Sequence, residues 1–92
     1  MKYILLGTLS GDWAKKHKKR VESASAKLGE LGVTLEATYY TQGRYDFVDV
    51  VEAPEPEPLL TFAVWYVTQG YGRVETMPAF DSETLARAAG KA

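Results

Sequence analysis

The residue types best suited to chemistry in this chain are one histidine and one aspartate, His17 and Asp46. A carboxylate beside an imidazole orients the ring and tunes it for proton transfer near neutral pH. Around this pair stand residues suited to holding a small molecule. Trp13, Tyr39 and Phe62 are expected to line a cavity between helices and sheet, with Thr41 beside Asp46. Arg73 is placed to meet an anion. Each residue also has a plainer role. His17 can fill space beside Trp13, and Asp46 can accept N–H groups of its own hairpin. Tyr45 can pack across a subunit interface, and Tyr39 can be core with its hydroxyl bonded.

Other chemistries find less support. One histidine, no cysteine and scattered carboxylates give no metal-ligand spacing. The absence of cysteine removes disulfides and thiol nucleophiles. Gly70-Tyr71-Gly72 precedes a strand rather than a helix, so it is a poor phosphate cradle. Ser10 near His17 lacks a third member for a nucleophilic triad. No cofactor and no metal are expected. Lys15-Lys16-His17-Lys18-Lys19-Arg20 holds five cations in six residues, a pattern that suits a polyanion. Yet no aromatic platform interleaves with it, and the formal net charge is −1. Nucleic acid is therefore not the expected partner. The run reads as a solvated face, or as a lure for an anionic ligand.

The elements that must position these residues follow from periodicity. Lys2 to Leu9 reads as a strand with Tyr3, Leu5 and Leu9 on one face and Ile4 and Leu6 on the other. Ser10 or Asp12 caps a helix from Trp13 to Leu31, whose apolar stripe is Trp13, His17, Val21, Ala24, Leu28 and Leu31. Strands at 33–42 and 45–53 are joined by a two-residue Gly43-Arg44 turn that pairs Gln42 with Tyr45, Tyr40 with Phe47 and Thr38 with Asp49. Leu35, Ala37, Tyr39, Thr41, Asp46, Val48 and Val50 share the aliphatic face, expected under the helices. Glu36, Thr38, Tyr40, Tyr45, Phe47 and Asp49 share the opposite face, expected at a wet interface with a second copy. After the proline-rich 53–58 connector, a helix over 59–69 is apolar nearly all round, and Trp65 is its surplus. A strand over 73–80 holds Pro78, which demands an edge or a bulge. Asp81-Ser82 caps a short last helix over 83–89.

Ninety-two residues make one domain, residues 1–92, burying only about 60–65% of its unfolded surface. The order β-α-β-β-α-β predicts the α+β ferredoxin-like plan, with strand order 4-1-3-2, both helices on one face, and the bare face covered by a second copy. No stretch approaches a membrane span, no signal peptide is evident, and a cytoplasmic location is expected.

Gly43-Arg44-Tyr45-Asp46, followed by an alternating strand, resembles the G-x-Y-D signature of the GYD domain family. Tyr3-Ile4-Leu5-Leu6-Gly7 and the stretch from Arg73 to Phe80 are similar to that family's first and last strands. The resemblance implies a dimeric α+β barrel of ferredoxin-like subunits. It selects no chemistry, because relatives of that architecture include monooxygenases, isomerases and ligand-sensing domains. Three readings are carried forward. The first is a homodimer, or higher oligomer, that binds a small molecule between helices and sheet. The second is a cofactor-free isomerase or monooxygenase using His17 and Asp46. The third is a structural or regulatory assembly module in which Trp65 and the last helix make further contacts.

Overall fold

A computed structural model describes residues 1–92. The chain runs β1 (Lys2–Leu9), α1 (Trp13–Glu30), β2 (Thr34–Tyr40), β3 (Phe47–Glu52), α2 (Glu57–Thr68), β4 (Gly72–Pro78) and α3 (Ser82–Lys91). The four strands form one antiparallel sheet in the order β2-β3-β1-β4, the expected plan read from the other edge. Pro78 closes β4 on an edge strand, where its missing N–H is tolerated. Asp81 caps α3 as expected, its carboxylate accepting from Thr84 N at 2.8 Å.

Side chains alternate across a strand, so register and burial together assign each face. On β1, Tyr3, Leu5 and Gly7 are buried under the helices, while Ile4, Leu6 and Thr8 face the other way. Their partners on β3 are Val51, Asp49 and Phe47, all buried too. The face expected under the helices is thus the open one. Phe47, Asp49 and Val51 lie beneath α1 and α2, and Val48 and Val50 lie on the bare side. Two features explain the reversal. Gly7 has no side chain, and the Phe47 ring occupies the space a Cβ would take. A β-bulge between Leu35 and Ala37 leaves Glu36 as the extra residue and breaks the alternation along β2. Leu35 therefore pairs with Val51 and lies on the helix side, whereas Ala37 and Tyr39 pair with Val50 and Val48 on the open side.

The expected pairs Tyr40–Phe47 and Thr38–Asp49 are present, but the two-residue turn is not. β2 ends at Tyr40 and β3 begins at Phe47, so residues 41–46 form the connection. Asp46 N donates to Gly7 O at 2.7 Å, and Thr41 N donates to Asp46 O at 2.8 Å. The chain has already crossed toward β1 before β3 starts.

Helix α1 keeps the C-terminal half of its expected stripe, Ala24, Leu28 and Leu31, on the core and departs from it in the N-terminal half. Its buried positions are Arg20 and Leu28, with Ala24 between them packed against the core. Trp13, His17 and Val21 are exposed. In α2 the buried stripe is Leu59, Phe62 and Tyr66. Trp65 is not the surplus: it packs among Phe62, Tyr66 and Tyr71. The exposed apolar residues of α2 are Leu60, Val64 and Val67.

Candidate functional site

The cavity between α1, α2 and the β2–β3 pair is built around Arg20. Its position follows from helical spacing: Arg20, Ala24 and Leu28 recur every four residues and face the sheet. Only 4% of Arg20 is exposed. Nη1 donates to the Tyr66 hydroxyl at 3.2 Å. Nη2 lies 3.0 Å from His17 Nδ1. A guanidinium can only donate, so Nδ1 is the acceptor and the imidazole proton sits on Nε2. The guanidinium carbon stands 5.8 Å from the Phe47 ring centroid and 6.0 Å from that of Tyr40, within cation–π range. Burial opposes the charge on Arg20, but the Tyr66 and Tyr40 hydroxyls outweigh it, and the group is held more firmly charged than usual.

Across the cavity lies Asp49, 8% exposed, on the central part of β3. Burial pushes its carboxyl up from the ordinary value of 3.8, while Thr38 and the Arg20 charge pull it partly back. Burial likewise raises the Tyr66 hydroxyl, against the opposing pull of Arg20, so it stays neutral. Two buried polar atoms, Arg20 Nε and Asp49 Oδ1, have no hydrogen-bond partner in the chain. Both residues line the same cavity, which has about 50 Å³ of free space and a mouth at exposed Val21, Leu35 and Tyr40.

The residues singled out from the sequence are distributed differently. Phe62 lines this cavity. His17 and Trp13 stand at its edge, their rings 6.0 Å apart, with His17 5.8 Å from Tyr40. Asp46 lies elsewhere: its Oδ2 accepts from Leu9 N at 2.7 Å, so it fastens the end of β1 rather than His17. Thr41 is exposed and donates to Tyr45 O at 2.7 Å. Tyr39 is 64% exposed on the open sheet face, and Arg73 is exposed on β4 opposite Thr8. The sequence reading missed Arg20, Asp49 and Tyr66. The cation run is divided: Lys16 pairs with Asp12 at 3.2 Å and Arg20 is internal, while Lys15, Lys18 and Lys19 stay exposed as a solvated face. A signal was available in Asp49, a lone acid between Val48 and Val50, which needs a polar partner wherever its strand is covered.

The open sheet face is the second feature. Ile4, Leu6, Val48 and Val50 are half-buried there, beside Ala37, Tyr39 and Met77. One end is closed by ion pairs of Lys2 with Glu36 at 2.6 Å and with Glu52 at 3.8 Å. No helix is long and apolar enough to cross a membrane.

Comparison with known proteins places the chain. A Thermus thermophilus protein named glutamine synthetase and cystathionine beta-lyase binding protein is 31% identical over 81 residues, covering 84% of this chain and 85% of that protein. The crystal structure of FFRP-DM1 is similar in fold, with a TM-score of 0.58 and 18% identity over 86% of this chain and 97% of that one. The family model described as GYD domain matches residues 3–89, and the chain belongs to that family.

Proposed function

We propose that this protein is a homodimeric binding module that takes a small molecule into the cavity between its helices and sheet. One observation carries the reading: Arg20 Nε and Asp49 Oδ1 are both buried and both unpartnered on one cavity. A buried polar atom left unpaired costs about 1–3 kcal/mol, so this corner of the fold holds polarity that packing alone does not call for. The dimer is supported by the apolar band of the open face, where Ile4, Leu6, Val48 and Val50 stand beside Ala37, Tyr39 and Met77. Wild-type protein should gain thermal stability with a cavity ligand, by about 2.7 kcal/mol at a hundred times its dissociation constant. A screen of small polar molecules that leaves the melting temperature unmoved, or moves it equally in Arg20→Met, would overturn this reading.

A second reading rests on a different surface. Leu60, Val64 and Val67 form an exposed apolar row along α2, and the Thermus relative is named for binding two enzymes. On this reading α2 seats a partner enzyme of the glutamine synthetase or cystathionine beta-lyase kind. Sedimentation of the chain mixed with each purified enzyme tests it. A co-sedimenting complex that Leu60→Ser with Val64→Ser abolishes is the expected result, and independent boundaries would refute it.

A further inference from the structure

Helix α3 is folded but has little of its own subunit to lie on. It has ten residues and buries none of them, and only Thr84 is half-covered. A lone helix shorter than about 12–15 residues is marginal in water, so its order calls for a surface to pack against. Its sequence carries a face made for one. Leu85, Ala88 and Ala89 recur at helical spacing on one side, and Glu83, Arg87 and Lys91 recur every four residues on the other. The radius of gyration is 14.4 Å, against about 12 Å for a compact chain of this length, which fits a helix standing off the body.

The same chain leaves an apolar groove uncovered. It runs between α2 and the edge strand β4, is lined by Leu60, Ala63, Val74, Thr76, Pro78 and Phe80, and has about 630 Å³ of free space. Glu55 and Glu57 flank it at the start of α2, and Arg73 stands at its far end. None of these three, nor Glu83, Arg87 or Lys91, forms an ion pair within the subunit. We propose that α3 is an exchanged arm, seated by its Leu85, Ala88 and Ala89 face in the α2–β4 groove of a second copy and running antiparallel to α2. That orientation sets Arg87 and Lys91 beside Glu55 and Glu57 of the partner subunit, and Glu83 beside the partner's Arg73. Two-fold symmetry makes the exchange reciprocal. The chain leaves β4 in the wrong direction for its own groove. Ala79 N donates to Lys2 O at 2.9 Å and prolongs the pairing of β4 beyond Pro78. Asp81 already caps α3 through Thr84 N at 2.8 Å. Only Phe80 is left to turn the helix back along β4. The exchange rests on the homodimer proposed above and names what each copy gives the other.

The chain has no cysteine, so disulfides report the seating directly. Leu60, Val67 and Ala88 are all exposed, and replacing them leaves the core intact. Antiparallel seating brings Ala88 over the partner's Leu60 and leaves the partner's Val67 about 10 Å further along α2. Leu60→Cys and Ala88→Cys proteins are purified separately, sedimented, mixed at dilution to exchange subunits, and equilibrated in a glutathione redox buffer. The expected product is a disulfide-linked heterodimer, identified by its mass, in about tenfold excess over that from Val67→Cys with Ala88→Cys. Equal linkage through both positions marks chance collision and overturns the seating. Leu60→Cys with Ala88→Cys in one chain tests the subunit's own groove. A covalent monomer from that variant, in protein that sediments as a dimer, seats α3 in cis and overturns the exchange while the dimer stands. No linkage in a sedimenting dimer does the same. Protein that sediments as a monomer and forms no linkage between chains overturns the exchange and the dimer together.

Discussion

Gly7→Ala tests the packing on which the cavity floor depends. A Cβ at Gly7 would lie 1.9 Å from Phe47 Cε2 and 2.0 Å from Cζ. Ordinary carbon contacts are about 3.5–4.0 Å, so the ring has to move by roughly 1.5–2 Å. Phe47 is only 3% exposed and stands edge-on to Tyr66 at 6.1 Å, leaving little room for that movement. Overpacking of this kind costs about 1–3 kcal/mol, and the disturbed ring pair about 0.5–1.5 kcal/mol. Replacing glycine returns about 0.5–1 kcal/mol of backbone entropy. The net expectation is a loss of about 2 kcal/mol. In urea unfolding with a slope of about 1 kcal/mol per molar, the midpoint should fall by about 2 M at unchanged slope. The same substitution in a Phe47→Leu background, where the ring is absent, should cost less than about 0.5 kcal/mol. A neutral or stabilising Gly7→Ala, or an equal cost in both backgrounds, would refute the assignment of the Phe47 ring to the space above Gly7.

Three further expectations follow from particular contacts. Asp49 has a raised pKa in the folded state, so the folded protein holds that proton more tightly than the unfolded chain. Stability is therefore full below the ordinary value of 3.8 and falls as pH rises through the folded value. Asp49→Asn should melt at a higher temperature than wild type at pH 7 and at nearly the same temperature at pH 3. Parallel melting curves across that range would contradict a desolvated carboxylate. Asp46→Ala should lose about 1.5–3 kcal/mol in urea unfolding, because Leu9 N loses a charged acceptor. A change at pH 7 below about 0.5 kcal/mol would refute the fastening of β1 by Asp46. Val50→Asp, placed on the open face, should convert a sedimenting dimer to a monomer, and a monomeric wild type at micromolar concentration would remove the dimer.

The strand order was legible because it depends only on element order, and βαββαβ leaves few right-handed ways to close one sheet. The pairs Tyr40–Phe47 and Thr38–Asp49 were legible because they depend on counting across the Gly43 region. Which face lies under the helices was not. Hydrophobic counting favours Val48 and Val50 over Phe47 and Asp49 for the interior, and the difference is decided by residues distant in sequence. Gly7 makes room for Phe47, and Arg20 with Tyr66 supplies polar company for Asp49. Neither fact is visible in the local pattern of β3. The bulge at Glu36 hides the answer further, since it puts Leu35 and Ala37 on opposite faces although they are two residues apart. Arg20 escaped notice for a related reason. Among five cations it looked like part of a solvated run, yet its spacing to Ala24 and Leu28, both in the expected stripe, is as regular as that of Val21.

The placement of Arg20 and Asp49 argues for occupancy rather than for scaffolding. A purely structural role for two opposite buried charges is best met by bringing them together, since an unpaired buried charge is costly and an ion pair with complete hydrogen bonding reduces that cost. Here the fold does the reverse. Tyr66 and His17 take two guanidinium nitrogens and hold them on the helix side, and Thr38 draws the Asp49 carboxyl toward β2. The result is two buried residues of opposite charge that line one small cavity without forming an ion pair. β3 divides the molecule along its own alternation: Phe47, Asp49 and Val51 serve the interior, and Val48 and Val50 serve the open face. A single strand thus separates the helix-side cavity from the open sheet face by one residue's parity, so that each can be altered by substitution while the other keeps its contacts.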